Sequence, residues 1–201
     1  MNYQSFVQLN LWRFDKDNKL TGDGCFFKKW EISEDNRQIT LHFDPLGELK
    51  WHDDVPVTMD DVLFTFDYYK KQNATWFLKI VSAEKLSDTS IRLNFEDNTA
   101  FAFMNEVTLS YYLLPKHIWE NVAESSKYNE ANAAIGCGPF KFVSSDADAQ
   151  TSYYEAVPNY PLGEVTVDKV ELKSFDKQDA LISAMQSGDI DAMYGYSASL
   201  D

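Results

Sequence analysis

Four aspartates, Asp53, Asp54, Asp60 and Asp61, fall in two adjacent pairs, and paired carboxylates are what calcium ligation or glycoside hydrolysis calls for. No loop around them repeats the alternating ligand pattern that calcium takes. The second pair has a simpler reading as the first turn of a helix capped by Thr58. Gly136-Cys137-Gly138 is glycine-rich but lacks the lysine and following helix of a phosphate loop. Pro139 and a strand come next, which argues equally against a dinucleotide fingerprint. Cys137 as a nucleophile requires a histidine close in space. His42, His52 and His117 are scattered and read as surface or internally satisfied residues. Neither a GxSxG elbow nor an HExxH zinc helix occurs. Cys25 and Cys137 show no CxxC spacing; a disulfide is open to them in an oxidising compartment, and two separate buried thiols is the simpler reading.

The elements that would position these groups can be read from periodicity. Lys28–Ser33 and Arg37–Phe43 alternate as two strands around Glu34-Asp35-Asn36, with Trp30 and Ile32 on one and Ile39, Leu41 and Phe43 on the other. Thr58-Met59-Asp60-Asp61 opens a helix to about Lys71, with Val62, Leu63, Phe66 and Tyr69 on one stripe. Ile80–Leu86 and Ile91–Phe95 form a second hairpin. A short helix is expected over Ala100–Val107, an apolar strand over Leu109–Leu114, and a helix over Lys116–Ala123 after Pro115. Strands follow at Phe140–Val143, Thr151–Ala156 and Val165–Lys173. Asp176 caps a last helix with Ala180, Leu181, Ala184 and Met185 inward, Gly188 ends it, and Ile190–Tyr194 is a final strand. Strand runs mixed with separated helices indicate an α/β (mixed α+β) body with a mixed sheet.

Composition narrows the function. With 201 residues, 44% hydrophobic and 15% aromatic, the chain can bury a core that offsets its ordering entropy. Its 18 basic against 32 acidic residues give a formal charge of -14, a field that repels nucleic-acid phosphates and anionic membrane faces. No run of about 18 apolar residues is present to span a bilayer as a helix. Met1-Asn2-Tyr3-Gln4 is polar and does not read as a signal peptide. No internal repeat or low-complexity tract interrupts the chain.

Six segments taken together carry more than any one of them. They are Trp30-Glu31-Ile32-Ser33 with Thr40-Leu41-His42-Phe43; Lys50-Trp51-His52-Asp53-Asp54-Val55-Pro56-Val57-Thr58; Leu114-Pro115-Lys116-His117-Ile118-Trp119; Ile135-Gly136-Cys137-Gly138-Pro139-Phe140; Asn159-Tyr160-Pro161; and Met185-Gln186-Ser187-Gly188-Asp189-Ile190-Asp191. In this order and spacing the chain resembles the family 5 bacterial extracellular solute-binding proteins, the oligopeptide, dipeptide and nickel receptors of ABC importers. Two departures stand out: Asp54 occupies a position where the family usually has glycine, and Cys137 one where it commonly has threonine. Members are also much longer, so the resemblance implies an internal fragment, with residues 1–114 as the small extra domain and 115–201 as part of lobe I of a periplasmic-binding-protein type II-like fold.

The resemblance further implies reversible capture of a peptide or similar small solute in an interlobe cleft, of which this chain is one wall. It implies a periplasmic or extracellular location and an ABC membrane permease as partner, with membrane contact only through an upstream lipid anchor. Capture needs no catalytic group, metal or cofactor. The expected ligand-facing residues are Gly136, Cys137 and Gly138, whose small size lets a ligand near the backbone, and Tyr194 and Tyr196 around Gly195. Tyr111, Tyr112 and Trp76 join them. Trp30, Trp51 and Trp119 read as core, and Tyr111 and Tyr112 face opposite ways if that segment is a strand. Two other readings remain open at this level, a peptide-sensing or chaperone-like module without a transporter and a hydrolase built on a carboxylate pair.

Overall fold

In the computed structural model, which describes residues 7–107 and 111–193, the alternating apolar residues of the first half line up across one sheet. Two short strands, β1 (Arg13–Phe14) and β2 (Leu20–Thr21), form a ribbon; β3 (Phe27–Ile32), β4 (Gln38–Phe43), β5 (Ile80–Ser87) and β6 (Ser90–Phe95) form a sheet of order β3-β4-β6-β5. Register sets Ile39 opposite Leu93 and Leu41 opposite Ile91, so all four point to one buried face. Asn36 turns the β3–β4 hairpin at φ 57, a left-handed conformation that asparagine tolerates well.

Helix α1 (Met59–Lys71) lies against this face. At its start the Asp61 carboxylate accepts from the Thr58 N–H and hydroxyl, both at 2.8 Å, and the acids at one end and Lys70 and Lys71 at the other complement the helix dipole. Its buried stripe includes Val62 and Phe66 as expected, and also Asp61, Thr65 and Tyr68. A connected set of rings fills the space between helix and sheet: Trp12 meets Phe27 and Phe103, and Phe77 meets Phe66 and Phe103. The Trp12 indole N–H donates to the Met104 carbonyl at 2.8 Å, which satisfies its one polar atom inside the core. Helix α2 (Ala100–Glu106) closes one side of this cluster.

The second half is built differently. After α3 (Lys116–Trp119), strands β7 (Phe140–Asp146), β8 (Thr151–Ala156) and β9 (Lys169–Lys173) make a separate sheet, and α4 (Gln178–Ser187) follows. All pairings between named strands are antiparallel, so the expectation of a mixed sheet is corrected for the described residues.

Other boundaries move for identifiable reasons. The helix expected over Lys116–Ala123 stops at Trp119, where the Val122 amide turns back to Trp119 O at 3.1 Å; the Tyr68 hydroxyl then donates to Val122 O at 3.2 Å and the Gln72 side-chain amide to Ala123 O at 2.9 Å. The strand expected over Leu109–Leu114 is, in its described part, an extended segment with a single bridge, Asn10 to Tyr112. Leu113 bonds the Leu9 carbonyl, while the Tyr112 and Leu114 amides bond the Tyr69 and Thr65 hydroxyls, so helix side chains stand where a second strand would be. β9 begins at Lys169, not at Val165. Lys177, not Asp176, is the N-cap of α4; Asp176 accepts from Gln150 instead. Of the four residues expected inward on α4, Ala184 is buried, Leu181 is half-buried, and Ala180 and Met185 are exposed. Gly188 does end the helix in the left-handed region, at φ 78. Residues 190–193 form no strand, and Tyr194 lies outside the described residues.

Candidate functional site

The Gly136-Cys137-Gly138 turn is where the two halves meet. A Cβ on Gly136 would come within 2.1 Å of the Val7 carbonyl oxygen, so only glycine lets these backbones approach. The Gly138 amide donates to that same Val7 carbonyl at 2.8 Å, and the Tyr160 hydroxyl donates to Cys137 O at 2.9 Å. His52 supplies the rest. Its amide donates to Gly136 O at 2.9 Å, its Nε2 lies 3.0 Å from Gly138 O, and the Gly136 amide points at its Nδ1 at 3.4 Å.

These partners fix the imidazole's state. A carbonyl can only accept and an amide N–H can only donate, so Nε2 carries the proton and Nδ1 is bare. Burial pushes the ring's pKa below its ordinary 6.5, a direction that Lys141 reinforces and that the Gly138 bond and Asp53 oppose.

The other described site residues, Tyr111, Tyr112 and Trp76, gather around the C-terminal end of α1 and not on the turn. The Tyr111 ring packs edge-on to Tyr69 at 4.9 Å and against Phe77 at 4.7 Å, half-buried. Tyr112 is buried, and both its backbone polar groups bond the Tyr69 hydroxyl. Trp76 is half-buried at the end of α1's connection, packed on the same core. All three residues of the turn, Cys137 included, are buried. Tyr194 and Tyr196 lie outside the described residues.

The carboxylate pairs are drawn into the scaffold. Asp53 pairs with His117 at 2.9 Å, Asp60 with Lys116 at 3.1 Å, and buried Asp61 accepts from the Lys116 amide at 2.8 Å as well as from Thr58. Together they staple α3 to the start of α1 and to the turn before it. Both cysteines are free and buried; burial raises the Cys25 thiol to about 11 and the Cys137 thiol further. Such thiols stay protonated and are poor nucleophiles. Of the three tryptophans expected in the core, Trp51 is fully buried, whereas Trp30 and Trp119 are half-buried, Trp119 against Tyr68 and Tyr128.

Residues 25–200 match the family described as bacterial extracellular solute-binding proteins, family 5 Middle. The chain belongs to this family. An uncharacterized protein of Sinorhizobium fredii is 28% identical over 92% of this chain and 30% of its own length. The oligopeptide-binding protein AppA of Bacillus subtilis is 32% identical over 71% of this chain and 27% of its own. The fold agrees: AppA in complex with a nonapeptide superposes with a TM-score of 0.78 at 25% identity, over 93% of this chain and 38% of that one. NikZ from Campylobacter jejuni, in complex with Ni(L-His), superposes at 0.75 and 27% identity, over 93% and 37%. The chain thus spans about a third of the length of the relatives it matches.

As a family 5 chain, it shows what one of its departures does. Asp54 takes φ 68, the left-handed conformation that the usual glycine adopts freely. The turn survives because the Asp54 amide donates to Trp51 O at 2.9 Å and the Trp51 amide to Val55 O at 2.8 Å. Two residues of the site went unassigned in the sequence, His52 and Tyr160. Each sits inside a family 5 segment, but only the folded chain brings His52 to residues more than eighty positions away.

Proposed function

We propose that this chain forms one wall of the interlobe cleft in the substrate-binding component of an ABC importer, which reversibly captures peptides or similar small solutes. The observation that carries the reading is family 5 membership over residues 25–200, joined to fold similarity with a relative that holds a nonapeptide. Residues 1–114 are the family's small extra domain and 115–201 part of lobe I. The Gly136-Cys137-Gly138 turn, whose small residues admit the Val7 backbone and whose main-chain groups are bonded within the chain, holds that wall in place from behind together with Tyr112. Tyr111, Trp76, Tyr194 and Tyr196 line the approach along which the peptide's backbone is read. The solute is bound and released unchanged, outside the cytoplasmic membrane, and handed to the importer's permease. A lipid anchor upstream would keep such a receptor at the cell envelope.

The uncovered second sheet supports the same reading, since a partial lobe leaves apolar residues with nothing to pack on. Val143 on β7 and Met185 on α4 are 52% and 38% exposed. The test is a titration with peptide pools and metal ions, followed by tryptophan fluorescence. A longer protein containing this chain should show a saturable change, and the 201-residue chain alone little. Tight binding by the 201 residues alone, or none by the longer protein, would overturn the proposal.

A further inference from the structure

One side chain holds both ends of the turn that joins the halves of the molecule. His52 uses its amide and both ring nitrogens on Gly136 and Gly138, and it sits in the same acidic turn whose Asp53 pairs with His117. Beyond that turn the chain enters β7, and the Val157 amide returns to bond Pro139 O at 2.9 Å, so the β7–β9 sheet is anchored within a few residues of the imidazole. Other tethers here are the Gly138–Val7, Tyr160–Cys137 and Gln8–Ile135 bonds, none of which involves a group that changes charge near neutral pH.

We propose that His52 is a positioning residue for the binding wall: as a neutral imidazole it templates the Gly136–Gly138 turn and thereby sets where the β7–β9 sheet stands against the aromatic core. Its importance for solute capture rests on the functional reading above, while the clamp itself is a property of this chain. A proton added at Nδ1 would face the Gly136 N–H, donor against donor, and one of the ring's two bonds would be lost. The charged groups that face the ring are Lys141 from β7, which opposes protonation, and Asp53 from the adjoining turn, which favours it and is shared with His117.

The pH dependence follows from linkage. His52 titrates below 6.5 in the fold, so between that native value and 6.5 the unfolded chain binds a proton the native chain lacks. Its contribution to stability is complete above 6.5 and is lost as pH falls from there through the native value.

Proton–nitrogen correlation spectra of the 201-residue chain test the clamp directly. The expected result is an Nε2–H tautomer at neutral pH, a His52 midpoint below 6.5, and Gly136 and Gly138 amide resonances that titrate with that midpoint. In His52→Ala the Gly136 amide should exchange with solvent at least about tenfold faster, with α1 amides unchanged as the sign of an intact fold. Should that variant unfold, His52→Gln decides: its amide group can supply one donor and one acceptor, so the turn stays protected but stops titrating. An Nδ1–H tautomer, a midpoint at or above 6.5, or glycine resonances that titrate unchanged in His52→Gln would overturn the proposal. All of these signals arise on the turn's own atoms, so a failure of solute binding would strike the functional reading and leave the clamp standing.

Discussion

The β3-β4-β6-β5 sheet and the β7-β8-β9 sheet are both antiparallel and similar in strand length, yet they stand at opposite ends of packing quality. The first has a helix and a web of rings on one face: Ile39, Leu41, Ile91 and Leu93 are all fully buried beneath α1 and the Trp12–Phe27–Phe103 cluster. The second buries Thr151 and Tyr154 on its central strand and little else; Phe142 touches Tyr154 at 5.8 Å, but its neighbour Val143 faces solvent. Hydrogen-bond ladders alone therefore do not distinguish a self-sufficient unit from a dependent one. Coverage of the apolar face does, because burial supplies most of the favourable free energy and an open face forgoes it. The first sheet has its own cover on one face, while the second is joined to it through the Gly136–Gly138 turn and buries little of either face.

That contrast can be broken by substitution. The largest effect is expected for Trp12→Ala, which empties a fully buried site and strands the Met104 carbonyl; it should destabilise the first region by about 3–5 kcal/mol in urea unfolding. A loss near 1 kcal/mol would mean that this core is far looser than its ring contacts imply. Asp54→Gly should act in the opposite direction, stabilising by about 1 kcal/mol through relief of the left-handed backbone at the acidic turn. If it destabilises instead, the aspartate's own bonds matter more than its strain. The smallest change belongs to the second sheet: Val143→Thr, the same shape with a hydroxyl on an exposed face, should stay within about 0.5 kcal/mol in the 201-residue chain. A cost above that would show that the face is covered after all, and the comparison between the sheets would fail.

Much of the first region was legible before folding was considered. The period-two alternation of Ile39, Leu41 and Phe43, the cap at Thr58 and the turn at Asn36 are local signals, and the structure places β4, α1 and the hairpin within a residue or two of them. The segment 7–26 was not legible, although it carries Trp12 and the Val7 carbonyl, because its extended runs borrow their bonds from residues far along the chain. Of the site, the glycines at positions 136 and 138 stood out by type, whereas His52 and Tyr160 did not. A histidine beside two aspartates looks like a solvated turn until the chain folds 138 back over it.

From residue order alone came the family resemblance, the main elements and the chain's net acidity, since these depend on neighbours within a few positions or on composition. Tertiary structure alone decided that the sheets are antiparallel, that α4's apolar stripe is left mostly uncovered, and that one neutral imidazole joins the two halves. Each of those outcomes depends on a partner supplied from a distant part of the chain. Such a partner decides which donor meets which acceptor and which apolar face is shielded from water, and no local pattern encodes it.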